Sequence, residues 1–95
     1  MAINIKATPI QAEVLSNKKI GAYFHMIFGV GEIAKHCRPG NFVAISVGGS
    51  GSAMILRRAF AIYRASEKSS QGGTIELVVA AHGSGSKWLS ERSIG

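Results

Sequence analysis

Aspartate is absent from these 95 residues, and all five acids are glutamate. No Ser/His/Asp arrangement stands out, and no pair of carboxylates presents itself for acid–base work. Cysteine is nearly absent as well. Cys37 is alone, so no disulfide forms within the chain, and one thiol supports neither a zinc site nor an iron–sulfur cluster. Its only nearby base is His36, a sequence neighbour, and adjacent residues rarely act as a nucleophile–base pair. A reducing, cytoplasmic setting is expected. Lys and Arg never run five together, and the aromatic residues are not interleaved with them. A nucleic-acid tail or base-stacking platform is therefore not expected, and an oligonucleotide-type barrel has only the charge in its favour. Met1 to Lys6 lacks the apolar core of a signal peptide. No stretch approaches the roughly 18 apolar residues of a membrane span, so no membrane partner is expected. His25, His36 and His82 lie far apart, and no pair has metal-ligand spacing.

What remains is a basic, glycine-rich chain of one small domain. Apolar residues make up 46% and charged residues 17%, with 12 glycines against two prolines. That balance suits a globular fold with many turns. The formal net charge is +6. It reads either as a merely basic surface or as a preference for an anionic ligand or acidic partner.

Ile3 to Lys6 alternates apolar and polar until Pro9 interrupts. Ile10 to Ser16 alternates again and predicts a first strand, with Ala12 and Val14 on one face. Asn17-Lys18-Lys19 reads as a turn, and Ile20 to Phe28 as the strand that pairs back. Glu32 to Cys37 is weakly helical. Pro39 and Gly40 then suit the second and third positions of a turn. Asn41 to Val47 predicts a third strand, with Phe42, Ala44 and Ser46 facing one way. Gly48 to Ser52 is a loop. Met54 to Arg64 predicts a fourth strand, Ala65 to Gly73 a polar hairpin loop, and Thr74 to Ala81 a fifth strand rich in β-branched residues. Lys87 to Arg92 predicts a short helix capped by Ser84 or Ser86. The expected fold is all-β: a small antiparallel barrel or sandwich with one short C-terminal helix.

Two constellations could carry chemistry. Arg57 and Arg58 open a strand containing Phe60. They read as a phosphate clamp beside an aromatic wall, because guanidinium holds phosphate oxygens in a fixed fork. The plain alternative is two surface arginines beside a core Phe. Gly83-Ser84-Gly85-Ser86 precedes Lys87-Trp88-Leu89. Such a turn leaves free backbone N–H groups that favour an anion, or is simply a capped strand-to-helix turn. Two anion-favouring features on adjacent strands suggest a single dinucleotide pyrophosphate.

In order along the chain stand Arg38-Pro-Gly-Asn-Phe-Val43, Leu56-Arg-Arg-Ala-Phe-Ala-Ile62, Gly73-Thr-Ile-Glu-Leu77 and Gly83-Ser-Gly-Ser-Lys-Trp-Leu89. This series resembles the flavin domain of the ferredoxin–NADP reductase superfamily, nearest the electron-transfer subunits of dihydroorotate dehydrogenase. The resemblance covers nearly the whole chain. It implies that residues 1–95 are one FAD-binding Greek-key barrel domain, with five of the family's six strands, cut short at its C-terminal end. It implies that Arg58 pairs with the FAD pyrophosphate, that Phe60 packs near the isoalloxazine or ribityl chain, and that Ala59 and Ala61 complete the segment. Ala61 stands where the family carries a hydroxyl facing the flavin. Val78, Val79 and Ala80 match the segment running alongside the flavin by its backbone, where the family usually carries a bulkier residue. Gly85 and Ser86 match a Gly-Thr pair that holds a phosphate. The complete family protein passes electrons between FAD, an iron–sulfur cluster and a nicotinamide in pyrimidine biosynthesis, with a catalytic dihydroorotate dehydrogenase subunit as partner. The nicotinamide domain and cluster cysteines are not in this stretch, which alone should be catalytically silent. An open barrel edge would invite self-association. The competing reading is a non-enzymatic, basic β-barrel interaction module that has lost flavin binding.

Overall fold

A computed structural model describes residues 1–47, 56–69, 72–81 and 83–95. The expected Gly48–Ser52 loop, the start of the arginine strand at Met54, and His82 lie outside the described residues.

The chain opens with a hairpin, β1 (Ala2–Ile5) and β2 (Thr8–Gln11), in which Ile5 pairs with Thr8 across two residues. Those two, Lys6 and Ala7, both have positive φ, 50° and 64°. This is the backbone of a primed turn, which usually recruits Asn-Gly. The sequence shows no such signal here, so the hairpin was not expected.

β3 (Glu13–Ile20) and β4 (Tyr23–Gly29) form the second hairpin. Its turn is Gly21-Ala22, with Gly21 at φ 60°, not Asn17-Lys18-Lys19. Those polar residues lie inside β3, paired with Met26, His25 and Phe24. A bulge between Val14 and Ser16 shifts the register.

A 3₁₀ turn over Gly31–His36 occupies the weakly helical stretch. Arg38-Pro39-Gly40-Asn41 is a β-turn as expected, with Gly40 at φ 90° and Asn41 N–H donating to the Arg38 carbonyl at 3.0 Å. β5 (Phe42–Val47) and β6 (Leu56–Ala61) pair antiparallel. β7 (Arg64–Ser69) and β8 (Gly72–Ala80) pair through most of the stretch read as a loop. The helix α1 (Ser84–Ser90) closes the described fold. Its first residue is flanked by Gly83, and the Ser86 hydroxyl accepts from Gly83 N–H at 3.1 Å. The start therefore comes earlier than expected, with Ser86 bonding back to the turn.

The result is mostly β: two four-stranded antiparallel sheets, ordered β2-β1-β5-β6 and β3-β4-β8-β7, with a short C-terminal helix. Among the described residues there are eight strands rather than five, and they form no closed barrel. One of the three extra strands is β1 of the unexpected hairpin; the other two arise because the chain bends twice from one sheet into the other. At the first bend, Ala12 N–H donates to the Met1 carbonyl at 2.8 Å, and the next strand begins at Glu13. At the second, Ile62 N–H donates to the carbonyl of Asn41, just before β5 of the first sheet, at 2.7 Å, and Tyr63 N–H donates to the carbonyl of Glu76 in the second at 2.8 Å.

The sheets face each other across one core. Ile3, Ile5, Val43, Ile45 and Val47 come from the first; Val14, Met26, Phe28, Ile75, Leu77 and Val79 come from the second. Alternation explains the split, since every second residue of a strand points inward. Leu89 of α1 and Ala34 of the 3₁₀ turn seal the ends. Gly73 is the tightest backbone contact. A Cβ there would overlap the Gly31 carbonyl oxygen and lie 2.8 Å from Ala34 Cβ.

The chain end turns back onto β3. Val14 and Gly95 exchange backbone bonds at 3.0 and 3.2 Å. The Asn17 amide donates to the Ser90 and Arg92 carbonyls at 2.9 and 2.8 Å. A residue read as part of a turn is thus the anchor for the C-terminal end of the helix.

Candidate functional site

β6 presents alternate residues to opposite faces. Arg58 and Phe60 lie opposite the buried Ile45 and Val43 of β5, so they share the inward-facing row. Ala59 and Ala61 lie on the outer face and are exposed. Phe60 is half-buried against the core, while Arg58 is exposed at its rim. The strand therefore ends its core row with a cation at the mouth, facing the start of α1.

The contact with α1 is close. A Cβ on Gly85 would sit 3.1 Å from Arg58 Cγ, 3.1 Å from Val47 Cγ2 and 3.2 Å from Arg58 Nε. Only a glycine lets the arginine stem lie flat over the helix start. Arg58, Ala59, Phe60, Gly83, Gly85 and Ser86 line one cleft of about 250 Å³. No hydrogen bond or ion pair engages the Arg58 guanidinium among the described residues. Arg38 and Arg92 differ: they donate to the backbone carbonyls of Lys35, Cys37 and Trp88, and Arg92 also lies 4.2 Å over the Trp88 ring. Part of the net charge is thus structural. α1 has only seven residues, so its dipole is small, and Arg58 is the fixed charge in the cleft.

Of the residues singled out by sequence, the cleft brings together Arg58, Ala59, Phe60, Gly85 and Ser86. Val78, Val79 and Ala80 form the last turn of pleat in β8, beside it. Val79 is buried in the core, Ala80 is half-buried, and Val78 is 45% exposed on the outer face. β4 pairs with all three residues on one side. On the other side β7 reaches back only to Glu76. Among the described residues, that stretch of β8 has no strand partner on its second edge. Ala61 supplies no hydroxyl to this gap.

The thiol of Cys37 is 2% exposed and donates to the Ile33 carbonyl at 3.5 Å. Burial pushes it up from its ordinary value, against the smaller opposing pull of Lys6 and Arg38. It is packed beside the 3₁₀ turn.

One group of functional side chains has no signature in the linear chain. His25 Nε2 donates to Glu76 Oε1 at 2.7 Å on the outer face of the second sheet. His25 stands in an apolar strand and Glu76 in another, and only the β4–β8 register brings them together.

No family model matches the chain, and no characterised protein or solved structure matches it either.

Proposed function

We propose that this chain is a flavin-binding barrel of the electron-transfer type, in which Arg58 meets the FAD pyrophosphate. The observation that carries the reading is the cleft. A guanidinium with no partner among the described residues and an aromatic wall line one concavity with a glycine turn distant from them in sequence. The residues suit a pyrophosphate, because Arg58 offers a fork of donors and Gly85 permits close backbone approach. The second edge of Val78–Ala80 offers backbone groups to a planar ring. Flavin, when bound, supplies the redox chemistry, and the protein supplies position and charge. The family likeness extends the proposal to a partner, the catalytic dihydroorotate dehydrogenase subunit, and to an iron–sulfur cluster and nicotinamide site carried elsewhere in the complete protein, in the cytoplasm.

The support for a six-stranded Greek-key barrel is the pairing order. Counting β2 with β3 as one strand bent at Ala12, and β6 with β7 as one bent at Ile62–Tyr63, leaves six strands. The pairing order would link them as a ring, β2/β3, β4, β8, β7/β6, β5, β1 and back to β2, although the described strands are laddered as two separate sheets. That ring uses β1 in place of a strand after Gly95. Pairing of two copies through the β8 stretch that has no second strand partner among the described residues would compete with flavin, and sedimentation at high concentration with and without FAD tests this.

A second reading rests on Ala61 and Val79. The first leaves no hydroxyl toward the gap and the second is committed to the core, as in a basic interaction module without flavin. One experiment separates the two. The absorbance spectrum of the purified chain is recorded with and without added FAD, alongside its melting temperature. Bound flavin, weakened by Arg58→Gln and by Gly85→Ala, supports the proposal. Colourless protein that excess FAD fails to stabilise overturns it.

A further inference from the structure

Among the described residues, six large apolar side chains stand exposed. Four of them, Ile20, Tyr23, Tyr63 and Val78, line one cavity of about 380 Å³ on the outer face of the second sheet. Single exposed apolar residues are ordinary, whereas a gathered set around a concavity marks a binding site. The remaining lining residues are His25, Arg64 and Glu76.

Arg64 and Glu76 are direct cross-strand partners, which places their Cβ atoms about 5 Å apart. Opposite charges so placed commonly pair. Here, among the described residues, no ion pair joins them. Glu76 gives Oε1 to His25 at 2.7 Å. Arg64 lies over the Tyr63 ring, 5.5 Å from its centroid. His25 in turn meets Tyr63 edge to face, with centroids 6.3 Å apart and planes at 84°. Each charge is thus held by a ring of its own. Glu76 Oε2 and the guanidinium N–H groups have no partner among the described residues, and both residues line the same cavity.

We infer that this cavity binds a small zwitterion with an apolar side chain, that is, a ligand of the α-amino acid class. The ammonium sits on Glu76 Oε2, the carboxylate takes the Arg64 fork, and the side chain packs among Ile20, Tyr23 and Val78. The charge pattern selects as well as attracts. A plain aromatic acid meets the Glu76 carboxylate, and a plain amine meets the Arg64 guanidinium. Only a ligand carrying both groups on neighbouring atoms satisfies the two together. His25 is a positioning residue that fixes the carboxylate. The cavity shares no lining residue with the Arg58 cleft; Val78, whose backbone edge the proposed function offers to the flavin ring, lines it, so the titration is run without added FAD.

The test is an NMR titration of the isotope-labelled full chain with L-phenylalanine, 3-phenylpropanoate and phenethylamine, following Tyr63, Val78 and His25. Saturable shifts with L-phenylalanine are expected, with about tenfold weaker binding for each one-charge analogue. Arg64→Gln and Glu76→Gln should each weaken L-phenylalanine about tenfold, and Arg58→Gln should leave it unchanged. Arg64 is exposed, so its variant keeps the fold and carries the test even if Glu76→Gln disturbs the sheet. The inference fails if L-phenylalanine gives no saturable shift up to about 10 mM. It also fails if 3-phenylpropanoate binds equally well, which would define a simple anion site.

Discussion

Replacing Gly73 with alanine tests the packing of the second sheet against the 3₁₀ turn. The added methyl would overlap the Gly31 carbonyl oxygen and crowd Ala34 Cβ at 2.8 Å. Neither neighbour is a flexible side-chain end, so the backbone must move. Overpacking of this kind costs about 1–3 kcal/mol. Moving the strand also strains the bond from Val30 N–H to the Gly73 carbonyl, 2.9 Å long and worth about 1 kcal/mol. The sum is about 2–4 kcal/mol, a large part of the stability of so small a domain. At about 4–8 °C per kcal/mol, the melting temperature should fall by about 10–30 °C. Thermal unfolding followed by circular dichroism measures it. Gly21→Ala is the control, because Gly21 has φ 60° and open space around it. It should cost only about 1 kcal/mol, from backbone conformation alone. If Gly73→Ala melts no lower than Gly21→Ala, the close approach is not what holds the turn to the sheet.

Three further outcomes follow from local geometry. Ala7→Gly should stabilise the chain by about 0.5–1 kcal/mol, because Ala7 sits at φ 64° and glycine relieves more strain there than it adds in unfolded-state entropy; denaturant melts show it. Asn17→Ala removes both amide bonds to the Ser90 and Arg92 carbonyls and should cost about 1–2 kcal/mol. Hydrogen exchange should quicken in α1 before it does in β4 and β8. Cys37 has a thiol pushed above its ordinary value of 9.0 by burial, so the folded state keeps its proton where the unfolded state has lost it. Stability from this group is complete at neutral pH and declines as pH rises above about 9, a slope that urea melts should find flattened in Cys37→Ala.

The hydrophobic alternation of β5 and β8 is legible because one face of each is fully buried. Val43, Ile45 and Val47 stand inward while Phe42, Ala44 and Ser46 face out. The Pro39-Gly40 turn is equally legible, since Gly40 needs the positive φ that its type implies. The arginine cleft is legible in part, because an arginine at the mouth of an apolar strand is not what packing asks for, whereas Gly85 is set by its close contact with Arg58 and Val47. Other features are written in no local pattern. Lys6-Ala7 makes a primed turn with residues that do not prefer one. Asn17-Lys18-Lys19 looks like a turn but lies in a strand, because tertiary pairing with β4 outweighs its polar composition. Polar residues continue into β7 for the same reason, since its ladder to β8 is made by backbone groups. The His25–Glu76 pair depends on register, which a single strand does not encode.

The two bends at Ala12 and Ile62–Tyr63 make each sheet's edge the continuation of the other's. Neither sheet can be lost alone, because its edge strand would drag the adjoining one out of register. Among the described residues, local opening is therefore expected in what hangs outside this frame, namely the 3₁₀ turn, α1 and the chain end on β3. The frame also dictates how the chain is assembled in time. The β1–β2 and β3–β4 hairpins close over two residues each, whereas Ile3 must find Ile45 and His25 must find Val78. The hairpins can form early at little entropic cost, and the long closures follow. Until the second bend is in place, the Arg58 row and the Gly85 turn have no common scaffold. The cleft is thus completed by the long closures, and folding in the millisecond-to-second range of β-rich domains sets when it is complete.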